Sequence, residues 1–187
     1  MTVLPGSTAR IKWTFKGDPS RAVLGWYFTK RGGREEEIAI KFYTGDPTIS
    51  NSSLPGVAIE PPATLVLKNV DKRYNGKYRF HASVANGGGI SKVVIIVAEK
   101  PTVTFGCPSL NKVNEGGNFT CVCIGIGGNP PANVTWFKDD VQIGGPGKEK
   151  QTLTFRNIGR TASGKYKCEA QSHTLTDEKS IEIIVYC

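Results

Sequence analysis

The first 99 residues contain no cysteine; all five cysteines of this 187-residue chain fall after residue 100. Whatever holds the first half together, it is not a disulfide. Histidine is nearly absent as well, with His81 in one half and His173 in the other, so neither has a second histidine at metal-ligand spacing. No run approaches 18 apolar residues, which excludes a membrane-spanning helix within the sequence. No Lys/Arg run reaches the density of a nucleic-acid patch, so nucleic acid is not an expected partner. Long helical periodicity is missing. The apolar runs are short and are split by Gly, Pro, Asn and Ser, as in β-sandwiches. Met1 is followed by no charged-then-apolar leader. The expectation is an excised ectodomain piece with Met1 added, any membrane span lying outside residues 1–187.

What is present is a repeated pattern. Residues 116–123 read GGNFTCVC, residues 134–138 VTWFK and residues 164–168 GKYKC. Phe119, Cys121 and Cys123 are two apart, so a strand points them to one face. Trp136 follows Cys123 by 13 residues, and Tyr166 stands two before Cys168. The first half repeats this without sulfur. Residues 6–13, GSTARIKW, put Trp13 where Cys123 stands; Trp26 follows 13 later; residues 76–80, GKYRF, put Tyr78 at the corner and Phe80 where Cys168 stands. A repeat of about one domain length means two tandem domains, expected at 1–99 and 100–187.

These residues resemble the immunoglobulin superfamily over the whole chain. The resemblance implies an all-β protein of two tandem β-sandwiches. It implies a Cys123–Cys168 bridge with Trp136 packed against it and Tyr166 as corner tyrosine. The lead-in Glu115-Gly116 and the Trp spacing select Cys123 over Cys121 as the core cysteine. Cys107 is then left to pair with Cys121 or with Cys187. The span from Cys123 to Cys168 is 45 residues, normal for an intermediate or constant type; the span from Trp13 to Phe80 is 67. The extra length lies between Trp26 and Leu65, where a variable-type domain adds two strands. The first domain is therefore expected to be V-set-like, with a core plug of Trp13, Trp26 and Phe80, and the second I-set-like. Both depart from the usual Asp-x-Gly-x-Tyr corner. Tyr74 and Ala162 occupy the Asp position, so the usual Asp–Arg pair should be missing.

Along the chain, Ala9, Ile11, Trp13 and Phe15 alternate with polar residues as a half-buried strand, and Leu24, Trp26 and Phe28 form the next inward face. Residues 45–62 read as loop-rich, and residues 86–89, NGGG, as a hairpin tip. The short linker around Pro101 suggests restricted, end-to-end domains.

Chemistry is not evident. Catalysis needs a nucleophile with its base, a carboxylate pair in a pocket or a metal cluster. The C-x-C of Cys121 and Cys123 is claimed by bridges, and residues 87–89 lack the helix and lysine of a phosphate loop. No catalytic residue, metal or cofactor is expected, and Glu35, Glu36 and Glu37 read as a solvated run. Bridges together with Asn-x-Ser/Thr triplets at Asn51, Asn118 and Asn133 favour the secretory pathway and a glycosylated cell-surface protein. The alternative is a cytosolic array module with reduced cysteines.

Variable-type domains commonly bind through the sheet of their third, sixth and seventh strands. Carried onto this chain, that face presents Tyr27, Thr29, Ile38, Ile40, Arg79 and His81. A domain lacking the bridge, with Trp13 and Phe80 in its place, precedes one with the crowded set Cys107, Cys121 and Cys123. This arrangement resembles the allorecognition receptors of colonial hydroids. The resemblance implies a single-pass membrane protein that binds its own kind on an opposing cell through the outer domain. The competing expectation is a heterophilic receptor for a growth factor or a sulfated glycan. It is motivated by charge: residues 1–99 hold 14 Lys/Arg against 8 Asp/Glu.

Overall fold

The computed structural model describes residues 1–85 and 87–187. Asn86, expected to open the glycine-rich tip, lies outside the described residues. The chain divides into two compact units, Met1–Val97 and Ala98–Cys187. Glu99, which we expected to close the first domain, belongs to the second, because its backbone exchanges hydrogen bonds with Asn129 (2.9 and 3.3 Å). Each unit is a β-sandwich, so the chain is all-β, two tandem immunoglobulin-like sandwiches.

The first unit contains β1 (Thr2–Val3), β2 (Ala9–Lys12), β3 (Val23–Lys30), β4 (Glu35–Phe42), β5 (Thr48–Ile49), β6 (Val57–Glu60), β7 (Thr64–Leu67), β8 (Gly76–Val84) and β9 (Gly87–Val97). One sheet runs β1-β9-β8-β3-β4-β5, with β1 parallel to β9; the other runs β2-β7-β6. Residues 45–62, expected to be loop-rich, also supply the short strands β5 and β6, which hydrogen-bond to β4 and β7. The expectation of a hairpin loop over the glycines is corrected. Gly87, Gly88 and Gly89 are strand residues opposite Val84, Ser83 and Ala82. Glycine disfavours an isolated strand, but antiparallel pairing along the whole of β8 holds these three in register.

Between the sheets of the first unit, Trp13 just after β2, Trp26 on β3 and Phe80 on β8 come together, 7%, 0% and 3% exposed. Trp13 stacks on Phe80 with centroids 5.3 Å apart, and Trp26 tilts against the same ring at 5.5 Å. Phe15 approaches from the third side at 6.0 Å. Tyr74, in place of the corner aspartate, is buried and its hydroxyl donates to the Pro55 carbonyl. Tyr78 closes the corner by donating to the Tyr74 carbonyl at 2.9 Å. Burial holds the Tyr78 phenol well above its ordinary pKa.

The second unit contains β10 (Thr102–Phe105), β11 (Leu110–Asn114), β12 (Phe119–Ile126), β13 (Asn133–Lys138), β14 (Val141–Lys148), β15 (Lys150–Phe155), β16 (Gly164–Ser172) and β17 (Leu175–Tyr186). Its sheets are β10-β12-β15 and β11-β17-β16-β13-β14. Cys123 and Cys168 are bonded across the sandwich, with Cα atoms 6.6 Å apart. Cys107 is bonded to Cys121, not to Cys187, which is free and exposed. Phe105 stacks on Trp136 at 5.5 Å, and Tyr166 donates to the Ala162 carbonyl at 2.7 Å.

Candidate partner-binding face

The outer face of the larger sheet of the first unit is set by register. Four rows of outward residues cross it. Lys92, Arg79, Tyr27 and Glu37 lie side by side on β9, β8, β3 and β4. One row to one side come Val94, Lys77, Thr29 and Glu35; one row to the other come Ile90, His81, Gly25 and Ile40. The last row is Gly88, Ser83, Val23 and Phe42.

Of the residues expected on this face, Tyr27, Thr29, Ile40, Arg79 and His81 lie there, each half-buried. Ile38 does not. It is fully buried in the core. The pairing of β3 with β4 shifts between Trp26 and Tyr27, so Ile38 is an extra residue, and both it and Ala39 turn inward. A bulge breaks the two-residue alternation that would have put Ile38 and Ile40 on the same side.

Tyr27 is the centre of the face. A Cβ at position 25 would sit 2.7 Å from the Tyr27 hydroxyl oxygen, so the ring lies over a strand position that only glycine leaves open. The Arg79 guanidinium stacks on that ring, its Cζ 4.0 Å from the centroid. Arg79 then reaches across β3 to Glu35, Nε to Oε2 at 2.9 Å and Nη2 to Oε1 at 2.5 Å. This fork holds the Glu35 carboxyl below the ordinary glutamate range and raises the guanidinium in turn. The result is a flat, neutralised platform. Charge that is not tied up in it is separated by strand: Lys92 and Lys77 on the β9–β8 side, Glu37 on β4. Glu37 accepts from the Ser50 hydroxyl at 2.9 Å and is otherwise exposed.

Around the platform stand large apolar groups in water: Ile90 is 62% exposed, Phe42 56% and Val94 50%. Parts of the run from Ile38 to Phe42 were expected on this face, and Phe42 lies there; Ile90 and Val94 were not expected, nor were Gly25, Glu35, Glu37 and Lys92. The alternation of Ile90, Lys92 and Val94 against Ser91, Val93 and Ile95 was available as a signal, had the glycines before them been counted as strand. At the end of the sandwich where β8 meets β9, a cavity of about 410 Å³ is lined by Phe15, Phe80, Val84, Gly88 and Ile90 among others.

Elsewhere, Asn51, Asn118 and Asn133 are all exposed. Asn118 accepts through Oδ1 from the Asn157 backbone N–H at 3.2 Å. Among the described residues there is no group of three or more His, Cys, Asp or Glu able to hold a metal, and no helix long and apolar enough to cross a membrane.

The immunoglobulin domain family matches residues 100–172. Human protein turtle homolog B is 28% identical over 167 residues, covering 83% of this chain and 12% of that protein. Human contactin-2 is 31% identical over 154 residues, covering 75% of this chain and 14% of that protein. The chain thus spans about an eighth of the length of these two curated relatives. Among solved structures, the amphioxus IgVJ-C2 molecule superposes with a TM-score of 0.60 at 20% identity, covering 98% of this chain and 99% of that one. Eight amino-terminal immunoglobulin domains of Down syndrome cell adhesion molecule give 0.61 at 22% identity, covering 100% of this chain and 25% of that one. The second unit carries the immunoglobulin domain of that family, and both units have the immunoglobulin-like sandwich fold.

Proposed function

We propose that this chain is the outer part of a glycosylated cell-surface recognition protein. Its Met1–Val97 unit binds a second copy on an opposing cell, as in allorecognition. The observation that carries this reading is the outer face of β9, β8, β3 and β4. It combines a preorganised Arg–Tyr platform with large apolar side chains more than half exposed. Rigid aromatic and arginine anchors beside exposed apolar groups are the composition of binding hot spots. Apolar side chains this exposed beside the platform supply area that a partner would cover. One structural neighbour adds support, being a cell adhesion molecule. Two disulfides in the second unit and three exposed sequons fit the extracellular side of a membrane protein anchored outside this fragment.

Weak contacts become visible when many copies are displayed together. Beads carrying the chain at increasing density should clump, and beads carrying Ile90→Asp should stay dispersed. Wild-type beads that remain dispersed at every density contradict like-to-like binding. A second reading, capture of a sulfated glycan, is favoured by the basic excess of residues 1–99. It predicts retention on a heparin column at physiological salt, where exposed charges are screened over about 8 Å.

A further inference from the structure

The two sandwiches differ in how the gap between their sheets is closed along one side. In the second unit β10 closes it. Thr102, Val103, Thr104 and Phe105 pair with Ile126, Gly125, Ile124 and Cys123 of β12. Val103 is fully buried, and Phe105 stacks on Trp136 at 5.5 Å. The Val103 N–H also donates to the Asp177 carboxylate of β17 at 2.8 Å. One short strand therefore covers the opening between the edges of both sheets.

The internal repeat carries these positions onto the first unit. Trp13 matches Cys123, so Phe15 matches Gly125 and Lys16 matches Ile126. Phe80 matches Cys168, so the pair of Ala82 with Gly89 matches the pair of Ala170 with Asp177. Phe15, Lys16, Phe80, Ala82 and Gly89 all line the cavity of about 410 Å³. The cavity is thus the first unit's counterpart of the β10 position, and its volume falls within the range of about 300–1,000 Å³ usual for binding sites. It opens between two strand edges. Among the described residues, β2 pairs only with β7, and β1 covers only Ile96 and Val97 of β9. Ser91 points inward by alternation and is exposed all the same. An open strand edge is a template for another chain. Main-chain hydrogen bonds along such an edge give affinity, and a pocket under alternate side chains gives specificity.

We propose that this slot takes an extended segment of a partner protein, which pairs antiparallel with residues 13–16 as β10 pairs with β12. The lining sets what the segment carries. An acidic residue lies opposite Lys16, which is exposed. A short apolar side chain follows over Phe15, then an outward polar residue opposite Thr14, then a larger apolar side chain over Phe80. The order is that of residues 102–105, with an acid in place of Thr102 because lysine stands where the second unit has Ile126. The slot lies at the Gly87 end of β9, about 33 Å of strand from Val97, so a second protein reaches it at the far end of the unit. This site is separate from the Arg79–Tyr27 platform and does not rest on like-to-like binding.

The probe is a fluorescent synthetic peptide of residues 100–106 carrying Thr102→Glu, titrated with the full chain and read by anisotropy. It should bind saturably, and the same peptide with Phe105→Asp should not. A Cβ built at Gly89 meets no atom within 4 Å, and the backbone there is not left-handed, so Gly89→Phe fills the slot without displacing the fold. That variant should weaken binding about tenfold or more, a loss of about 1.4 kcal/mol. Lys16→Glu should weaken the Thr102→Glu peptide and instead favour the peptide with Thr102→Lys. Circular dichroism checks that both variants fold. A peptide still unbound at millimolar chain overturns the site. So does binding that Gly89→Phe leaves unchanged, which would put the peptide elsewhere on the molecule, or a charge preference that Lys16→Glu does not reverse. Bead clumping plays no part in this measurement, so a chain that takes the peptide and never clumps keeps the slot and loses like-to-like binding.

Discussion

The two units solve the same packing problem with different bonds. In the second, Cys123 and Cys168 join the sheets covalently. In the first, Trp13 lies flat on Phe80 at the matching positions. A disulfide acts mainly by restricting the unfolded chain. A ring stack leaves the unfolded chain free and stabilises only by burying area and making contacts in the folded state. The longer span of the first unit, 67 residues against 45, changes the entropy of closing that loop by only about 0.35 kcal/mol. The aromatic plug must therefore offset nearly the whole loss of the cross-link. It does so with Trp13, Phe15 and Trp26 all packed on one ring. The lesson is that the first unit is insensitive to redox conditions and rests on core volume alone, whereas the second is sensitive to redox conditions as well.

The sharpest way to break this comparison is Phe80→Ala. It removes the ring that three others contact and should cost the first unit about 3–5 kcal/mol, the usual range for such a truncation. Urea unfolding followed by tryptophan fluorescence would read it, with the transition of the second unit unmoved. The converse is Cys123→Ala with Cys168→Ala, expected to cost the second unit about 2–5 kcal/mol and to leave the first unit unchanged. A first-unit transition that shifts with the cysteines would refute the independence of the two cores.

A smaller effect separates the two core tryptophans. The Trp136 indole N–H donates to the Gln151 carbonyl at 3.1 Å. The Trp26 indole N–H is buried with no partner among the described residues. Phenylalanine at each position loses similar volume, but only Trp136→Phe also loses a hydrogen bond. It should be the more costly of the two by about 1 kcal/mol in the same denaturation experiment.

The smallest effect is electrostatic and lies on the face itself. Arg79 lowers the Glu35 pKa in the folded state. The pair therefore contributes its stability above the unfolded glutamate value of about 4.3 and loses it as pH falls through the lower folded value. Both side chains are partly solvated, so the contribution is about 0.2–1 kcal/mol. Glu35→Gln should flatten that part of the first unit's acid dependence, measured by thermal unfolding between pH 5 and pH 3. A wild-type curve no steeper than the variant's would remove the Arg79–Glu35 fork from the account.

The sandwich architecture was legible in the sequence because its signals are local and periodic: the alternation of Ala9 and Ile11, the 13-residue step to each tryptophan, and the corner tyrosines. The detail of the face was less so. Nothing in the run 35–42 marks Ile38 as the extra residue of a bulge, since only the pairing partner on β3 reveals that two residues oppose one. The glycines at 87–89 carry a turn signal that pairing with β8 overrides; the strand was expected only from Lys92 to Val97, which left Ile90 outside it. The Arg79–Glu35 fork is likewise invisible in sequence. It spans 44 positions and depends on Gly25 leaving space for Tyr27.

The most direct test of recognition through the first unit is hydroxyl-radical footprinting of the full chain on clumped and on dispersed beads. The account predicts lower oxidation of Tyr27, Phe42, His81 and Ile90 in the clumped state, with Trp136, Tyr186 and the rest of the second unit unchanged. Protection confined to the second unit, or to the outer surface of β2, β7 and β6, would contradict it.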